Sequence, residues 1–432
     1  MRVWIRFAAT AALVGTALLS ACGGGSSSSS GSANVRLLNA SVGYSSLDLQ
    51  LDTTTTNTAV AYGAAGAYAS AATTGISTTI LPNGSTSALS TATRTFSKDA
   101  SYTIVAYGWS GALKTSLIQE DVPAPEANKT KLQVQNLAND AGAVDIYLTG
   151  ANETLDSAVA FYSGLSGTGS SGYNSVNSGT YRLRVTAAGD KSDLRLDAQG
   201  LVLGSTQVAN LLLTSGSSGV LVNGMLVLQK GDATKFSTTQ SRIRPLVSLT
   251  SAATFSITAG GTSLVTSTSA QSNPATYTAI TSGSVPVTLT INGSAITVPN
   301  QTLAAGGDYI LMVRGTPAAP TVTLLPEDNR LPLVATNAKL RLINATVSAA
   351  PVNLSLTADF SPVANSVAPG AASAFANVPS GTAVRLDVTN DSGISQTSNL
   401  TSVPIAAKGL YTVYLFGDAS SNSPSVSFRK DR

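Results

Sequence analysis

The chain has 432 residues, of which 43% are hydrophobic and 11% are charged, a balance typical of folded proteins with more than one domain. The formal net charge is +3, and no run of like charges indicates a face for nucleic acid. The sequence contains no histidine and one cysteine, which excludes serine–histidine nucleophiles, imidazole metal ligands and intrachain disulfides. We therefore predict no catalytic residue, no cofactor and no metal site.

Residues 1–21 have the organisation of a lipoprotein signal peptide. Two arginines precede an apolar run that ends near Leu19, and small residues follow it. The end of the apolar run and the residues after it resemble the lipobox of bacterial lipoproteins, formed here by Leu19, Ser20, Ala21 and Cys22. That resemblance implies that Cys22 carries a thioether-linked diacylglycerol, becomes the first residue after cleavage and is N-acylated. The alternative is an ordinary cleavage site beside an incidental cysteine.

Residues 22–33 combine this cysteine with the tract GGGSSSSSGSA, which predicts a flexible tether with a typical span on the order of 20 Å. Gly23, rather than an aspartate, follows Cys22, and in Gram-negative lipoproteins the lack of that aspartate usually implies sorting to the outer membrane. Several acyl chains anchor a protein stably where one chain would be marginal. We therefore expect the membrane as a partner through an N-terminal lipid anchor. The chain can face the periplasm or the cell surface, and the sequence does not choose between these two alternatives.

Four segments along the chain share one apolar alternation: VRLLNAS at residues 35–41, LQVQNLA at 132–138, IRPLVSL at 243–249 and LRLINAT at 340–346. A second alternating segment starts twelve residues after the start of each, at Leu47, Val144, Phe255 and Val352. Alternation with a period of two predicts half-buried strands. The third copy contains Pro245, which removes a ladder donor and predicts an edge strand or a shortened strand.

Later landmarks recur in the copies, and turn signals such as Asn83-Gly84 separate the segments. Tyr-to-Gly segments begin at Tyr102, Tyr309 and Tyr411, and the copies close at Asp121, Asp232, Asp328 and Asp431. Copies with about seven short strands predict an all-β chain of four tandem immunoglobulin-like antiparallel β-sandwich modules, at residues 34–125, 129–236, 241–333 and 338–432. A barrel of the same strand count is the alternative. Short linkers, two of them with prolines, predict an extended, semi-rigid rod with small interfaces.

The segments VRLLNAS…LDLQLD, LQVQNLANDAGAVDIYLTG and LRLINATVSAAPVNLSLTA resemble the opening of domain-of-unknown-function family 4397, which is common in exported bacterial proteins and often repeated. The resemblance covers residues 34–432 in four copies and is strongest in the first, second and fourth. It implies a β-sandwich-like fold and an envelope location. It carries over no reaction and no catalytic residue.

Carboxylates and one tryptophan are the remaining candidates for chemistry. Asp48 and Asp52 are predicted on the solvent face of a strand, about 13 Å apart, which favours a solvated face over an acid/base pair or a calcium site. Glu120-Asp121 and Glu327-Asp328 lie at module ends, where a cap or a linker contact is favoured over catalysis. For Trp109 an ordinary rim position is favoured, and stacking on a sugar is the alternative.

Two sets of polar side chains occupy matching positions in the copies. Asn39, Asn136 and Asn344 close the first segment, and we predict that they bond nearby backbone rather than a ligand. Tyr102, Tyr309 and Tyr411 are predicted to tie down a corner of the sandwich.

The sequence as a whole favours a non-catalytic outer-membrane lipoprotein with a structural, adhesion or binding role at the cell envelope, toward an envelope protein or a glycan. The alternative is a carboxylate-dependent enzyme acting on envelope or extracellular polysaccharide, which would need two carboxylates roughly 5–10 Å apart in one cleft. An adhesin would differ from a passive spacer by an apolar or aromatic patch on loops of the distal fourth module.

Overall fold

The computed structural model describes residues 31–274, 276–347, 353–396, 400–417 and 424–432. The predicted signal peptide, the lipobox with Cys22 and most of the predicted tether lie outside the described residues. Within the described ranges, no helix has the length and apolar character needed to cross a bilayer. The described chain consists mainly of strands, with one 3-10 turn at Asn139–Ala141.

The first sandwich contains eight strands: β1 (Ser32–Asn39), β2 (Ser46–Leu51), β3 (Thr54–Ala61), β4 (Ala69–Ala72), β5 (Ile76–Pro82), β6 (Ser90–Arg94), β7 (Ser101–Trp109) and β8 (Ala112–Gln119). They form two sheets, in the orders β4-β1-β7-β8 and β3-β2-β5-β6. Val35 and Leu37 of β1 and Leu47 and Leu49 of β2 lie in the core between them. Alternation places these side chains inward, because successive side chains of a strand point to opposite faces.

The second sandwich contains nine strands: β9 (Lys129–Asn136), β10 (Val144–Thr149), β11 (Tyr162–Leu165), β12 (Ser170–Asn177), β13 (Gly179–Ala187), β14 (Asp190–Leu203), β15 (Gln207–Ser215), β16 (Val222–Leu228) and β17 (Ala233–Phe236). Its sheets have the orders β12-β9-β15-β16-β17 and β11-β10-β13-β14. The core between them includes Leu132 of β9, Ile146 of β10 and Leu211 of β15.

In the described part of the third sandwich there are nine strands: β18 (Gln240–Ala259), β19 (Thr262–Ser272), β20 (Thr278–Thr281), β21 (Gly283–Val285), β22 (Val287–Ile291), β23 (Ser294–Ile296), β24 (Gln301–Leu303), β25 (Asp308–Thr316) and β26 (Ala319–Glu327). The main sheet has the order β23-β22-β18-β25-β26, with β19 and β20 also paired to β18, and β21 pairs with β24. Here the two predicted segments merge into the long strand β18. The register against β19 shifts between Ser248 and Ala253, and such irregularities bend a strand.

The described residues of the fourth sandwich form ten strands: β27 (Asn337–Thr346), β28 (Leu354–Ala358), β29 (Ser361–Val367), β30 (Ala371–Ala372), β31 (Ala376–Pro379), β32 (Gly381–Val384), β33 (Leu386–Asn390), β34 (Val403–Ile405), β35 (Leu410–Gly417) and β36 (Ser425–Lys430). One sheet has the order β30-β27-β35-β36, with β31 also paired to β27. The others have the orders β29-β28-β33 and β32-β34.

The predicted all-β fold of several β-sandwich modules is confirmed, but the sheets are not purely antiparallel. In each sandwich the first strand is central and runs parallel to a late strand. The register is equivalent in all four: Val35 opposite Tyr102, Leu132 opposite Ala209, Ile243 opposite Tyr309 and Leu340 opposite Tyr411.

Pro245 lies inside β18, and the prediction of an edge strand or a shortened strand is wrong. β18 is 20 residues long, and Pro245 lies opposite Leu311 of the parallel neighbour β25. On the other side of β18, the pairing with β20 ends at Ile243 and the pairing with β19 begins at Val247. The proline therefore lies beside a gap between two partner strands, where its missing N–H is tolerated.

The sandwiches pack in two pairs, so the prediction of an extended rod is wrong. The first and second meet through one buried cluster: Leu38, Ala40, Val105, Tyr107, Ile118, Leu137, Leu212, Met225 and Val227. The third and fourth meet through another: Leu246, Ile310, Met312, Ile343, Ala345, Tyr414 and Phe416. The sheet that contains each first strand is apolar on its outer face as well as on its core face. Burial of that outer face stabilises the paired arrangement.

Ser218, in the loop between β15 and β16, joins the second sandwich to the third. Its N–H donates to the Gly306 carbonyl at 3.1 Å, and its carbonyl accepts the Asn329 N–H at 3.1 Å. Its hydroxyl accepts the Asp308 N–H at 3.0 Å. The two pairs are therefore in contact with each other.

Candidate functional site at the junction of the sandwiches

Asn39, Asn136 and Asn344 close the first segment in three sandwiches and are fully buried. The Asn39 amide nitrogen donates to the carbonyls of Tyr44 and Val60, at 3.1 and 3.0 Å. Asn136 and Asn344 also bond backbone groups of nearby strands and loops. The predicted backbone role of these asparagines is confirmed.

The strand alternation predicts that Asp48 lies on a solvated face, but its side chain is only 8% exposed. One of its oxygens accepts the Ala59 N–H at 2.7 Å and the Asn83 amide at 3.0 Å. The prediction is wrong because a neighbouring strand and the following turn cover the outward face at this point. Asp52 is exposed, as predicted, and accepts the Ser77 N–H at 2.9 Å. Both carboxylates therefore hold local backbone.

Three tyrosines tie down the corner that precedes their own strand. Each hydroxyl accepts a backbone N–H from five residues earlier: Tyr102 from Ser97 at 2.9 Å, Tyr309 from Ala304 at 2.9 Å and Tyr411 from Ala406 at 2.8 Å. All three tyrosine side chains are buried. The predicted corner role is confirmed.

Glu120 is buried at the contact between the first and second sandwiches. Its carboxylate forms an ion pair with Arg36 at 3.2 Å and accepts the Tyr68 hydroxyl at 2.7 Å. It also accepts the N–H of Lys230 in the second sandwich, while Arg36 donates to the Gly231 carbonyl at 2.7 Å. This carboxylate makes a contact between sandwiches, in agreement with the favoured linker role.

Glu327 occupies a similar place between the third and fourth sandwiches. It accepts two hydrogen bonds from Arg244, at 2.9 and 2.7 Å, and it is also bonded to Arg341 and to the Tyr277 hydroxyl. Arg244 reaches Asp431 of the fourth sandwich at 2.9 Å. The side chains of Arg244, Glu327 and Asp431 are at most 1% exposed.

The charged neighbours of Glu327 control its protonation. Burial alone would raise its pKa, but the guanidinium groups of Arg341 and Arg244 outweigh burial and hold the pKa below its ordinary value. A general acid needs a pKa near the working pH and access to its substrate. Glu327 has neither property, so its contacts favour a structural role.

A cavity of about 640 Å³ lies where the first, second and fourth sandwiches meet the segment after β26, and we call it the junction cavity. Trp109 forms part of its wall, and the indole N–H donates to Asp140 at 2.8 Å. The other oxygen of Asp140 accepts the Leu331 N–H at 2.9 Å. The Arg330 guanidinium lies 4.9 Å from the centroid of the Trp109 ring. Trp109 therefore occupies a rim position, as favoured, and Arg330 covers one ring face that a sugar would need.

Six charged side chains line the junction cavity: Lys114, Arg330, Lys339, Lys408, Asp140 and Asp328. Asp328 accepts hydrogen bonds from Arg330 at 2.6 Å and from Lys339 at 3.2 Å. Burial opposes ionisation of Asp328, but these two cations hold the pKa of its carboxyl below the ordinary value. Asp328 is therefore ionised at neutral pH, and the lining carries two more positive than negative side chains.

A second cavity of about 640 Å³ lies between β8 of the first sandwich and β9 of the second, and we call it the seam groove. Its lining is mainly neutral and polar, and includes Thr115, Gln119, Gln133, Gln135, Ser170 and Tyr173. It contains one carboxylate, Asp121, which forms an ion pair with Lys230 at 3.1 Å. Tyr107 and Leu137 line both cavities. The seam groove and the junction cavity are therefore neighbours.

Three arginines that organise the buried ion pairs were not among the predicted site residues: Arg36, Arg244 and Arg341. Each follows the first apolar residue of its copy, in VRLLNAS, IRPLVSL and LRLINAT. That shared position was the available signal. In the described ranges, no group of three or more Cys, Asp or Glu side chains is placed to hold a metal ion.

Residues 33–147 contain a domain of the family described as Domain of unknown function (DUF4397). This range covers the first sandwich and continues into β10 of the second. The family resemblance is therefore confirmed for this range, and its extension to the later copies remains a prediction.

Two solved structures resemble the chain at low TM-score. One is a "putative cell adhesion protein" from Bacteroides uniformis ATCC 8492, with a TM-score of 0.21 and 11% identity, covering 46% of this chain and 99% of its own. The other is a "putative cell adhesion protein" from Bacteroides ovatus ATCC 8483, with a TM-score of 0.20 and 14% identity, covering 48% and 98%. No curated protein matches the chain.

Proposed function

We propose that the chain is a non-catalytic outer-membrane lipoprotein that presents four tandem β-sandwich modules in a structural, adhesion or binding role at the cell envelope. The lipobox-like motif ending at Cys22 and the Gly/Ser tract after it support the anchor. The module boundaries at 34–125, 129–236, 241–333 and 338–432 belong to this proposal. The equivalent register of the four first strands supports them.

One observation carries the non-catalytic part of the proposal: Glu120 and Glu327 are held in buried ion pairs with arginines between sandwiches. A polysaccharide hydrolase needs two carboxyl groups that face a substrate in one cleft. In the junction cavity, Asp140 and Asp328 are instead bonded to donors from neighbouring segments. These contacts favour a structural use of the carboxylates over acid/base catalysis.

A surface feature of the fourth sandwich favours adhesion over a passive spacer. Phe360, in the turn between β28 and β29, is 76% exposed, and Arg385 lies 5.2 Å from the centroid of its ring. The φ angle of Phe360 is 64°, a value that bulky side chains rarely adopt and that is often associated with functional sites. The support for adhesion is this one exposed aromatic side chain in a strained backbone conformation.

Substitution of Cys22 by serine tests the anchor. Because a serine hydroxyl cannot form the thioether, we expect the wild-type chain to incorporate labelled palmitate and the Cys22→Ser variant to incorporate none. The wild-type chain should also band with the outer membrane in a density gradient. Ser20→Ala, which keeps a small residue in the lipobox, serves as the matched control and should remain labelled.

Equal palmitate labelling of the Cys22→Ser variant would contradict lipid attachment at this residue. The non-catalytic role is tested with the purified full chain in detergent, incubated with envelope glycans. New reducing ends that disappear after carboxylate substitution would support the enzyme instead.

A further inference from the structure

Two of the cationic side chains that line the junction cavity make no polar contact within the described ranges. Lys114 lies in β8, Lys408 lies in the turn before β35, and both are exposed. Within the described part of the chain, neither ammonium group takes part in a hydrogen bond or an ion pair. By contrast, Arg330 and Lys339 of the same cavity are paired with Asp328. The excess positive charge of the cavity is therefore carried by side chains free to meet a ligand.

The seam groove beside the cavity offers a different kind of contact. Gln133 and Gln135 project from β9, and the hydroxyl-bearing Tyr173 lies on β12. Side-chain amides and hydroxyls both donate and accept hydrogen bonds, which matches the hydroxyl groups of sugars. Tyr107 and Leu137 line both cavities, so the neutral lining and the cationic lining lie next to each other.

We propose that the seam groove and the junction cavity bind an anionic polysaccharide, with its sugar hydroxyls on the groove and a carboxylate of the chain at Lys114 and Lys408. This inference rests on the proposed non-catalytic binding role and specifies the ligand class. An acidic peptide would satisfy the two lysines equally well. The neutral amide and hydroxyl lining of the groove favours the glycan.

Isothermal titration calorimetry on the full chain in nonionic detergent tests the site. The probes are a galacturonate hexamer, the same hexamer with its carboxylates methyl-esterified, and hexaglutamate. We expect the galacturonate hexamer to bind, and each of the variants Lys114→Gln and Lys408→Gln to weaken binding by about fivefold, as for a partly exposed charge pair. Lys98→Gln changes an exposed lysine outside both cavities and should bind as the wild type does.

The proposal is overturned if the galacturonate hexamer does not bind, if the neutral ester binds equally well, or if neither lysine variant changes the affinity. Tighter binding of hexaglutamate than of galacturonate would also overturn it and identify a peptide site. Reducing ends are measured in the same samples. Cleavage of the hexamer would contradict the proposed non-catalytic function, whereas absence of both binding and cleavage contradicts only the ligand assignment.

Discussion

Buried polar side chains in this protein hydrogen-bond the backbone of nearby strands and loops. Asn39 and Asn136 each bond one loop carbonyl and one carbonyl of another strand. Asp48 and Asp145 each accept one N–H from a neighbouring strand and one from a turn. A buried polar group is costly unless it is bonded, so each of these residues also specifies the loop that must fold beside it.

The Glu327→Gln substitution tests the buried ion pairs at the scale of one residue. Removal of one partner leaves Arg244 and Arg341 buried without their shared counter-charge, which should cost about 3–5 kcal/mol. We expect the unfolding transition of the third and fourth sandwiches in urea to shift to lower concentration. Glu126→Gln is the matched control, because Glu126 is exposed.

The same ion pair should make the stability of the folded chain depend on pH. The pKa of Glu327 is lowered in the folded chain, so its stabilising effect is fully present above the ordinary value of 4.5. That contribution is lost as the pH falls through the lower folded-state pKa. The wild type should therefore lose more stability on acidification than Glu327→Gln, whose side chain does not titrate there. Identical acid profiles for the two proteins would refute the role of this ion pair.

Within the sheets, the first strand of each sandwich has N–H groups that do not bond to its parallel neighbour. Each of these N–H groups needs another acceptor. Leu37, Val134 and Leu342 are equivalent positions, and their N–H groups donate to the side chains of Asn57, Ser171 and Ser373, at 2.7, 2.9 and 3.1 Å. The equivalent residue of the third sandwich is Pro245, which has no N–H. A proline is therefore acceptable in a central strand here because the ladder does not use that donor.

The tyrosine corners predict a local effect of Tyr309→Phe. Loss of the hydroxyl leaves the Ala304 N–H without its acceptor at 2.9 Å, which should cost about 1–3 kcal/mol. Hydrogen exchange by mass spectrometry should show faster exchange in the turn before β25. Tyr162→Phe is the control, because the Tyr162 hydroxyl makes no hydrogen bond within the described ranges. Unchanged exchange at the turn would rule out the corner role.

The four sandwiches form two back-to-back pairs and are not independent modules in a row. The outer face of the fourth sandwich contributes Ile343, Tyr414 and Phe416 to the buried cluster with the third. A fourth sandwich on its own would expose this apolar face to water, at a cost of roughly 25 cal/mol for each Å². Stability of each sandwich is therefore expected to depend on its partner.

Leu246→Asp tests the pairing. The carboxylate would be buried in the apolar cluster between the third and fourth sandwiches, so we expect the pair to separate, with each sandwich less stable but still folded at low temperature. Small-angle scattering should show a larger radius of gyration, with an unchanged far-ultraviolet circular dichroism spectrum. Leu333→Asp, at a leucine that is 74% exposed, is the control. A radius of gyration equal to that of the wild type would disprove the pairing.

Most first and second segments of the copies, the asparagine and tyrosine contacts and the all-β architecture could be predicted from the sequence, because alternation and hydrogen bonds over a few residues are local properties. The exact strands could not, since two predicted segments merge into β18. The exposure of Asp48 was predicted wrongly because alternation gives the direction in which a side chain points but not what covers it. The pairing, the buried ion pairs and the two cavities could not be predicted, because they depend on contacts between residues far apart in the chain. Arg36 and Gly231 are 195 residues apart in the chain and 2.7 Å apart between their bonded atoms, and burial of two outer sheet faces is what brings them together.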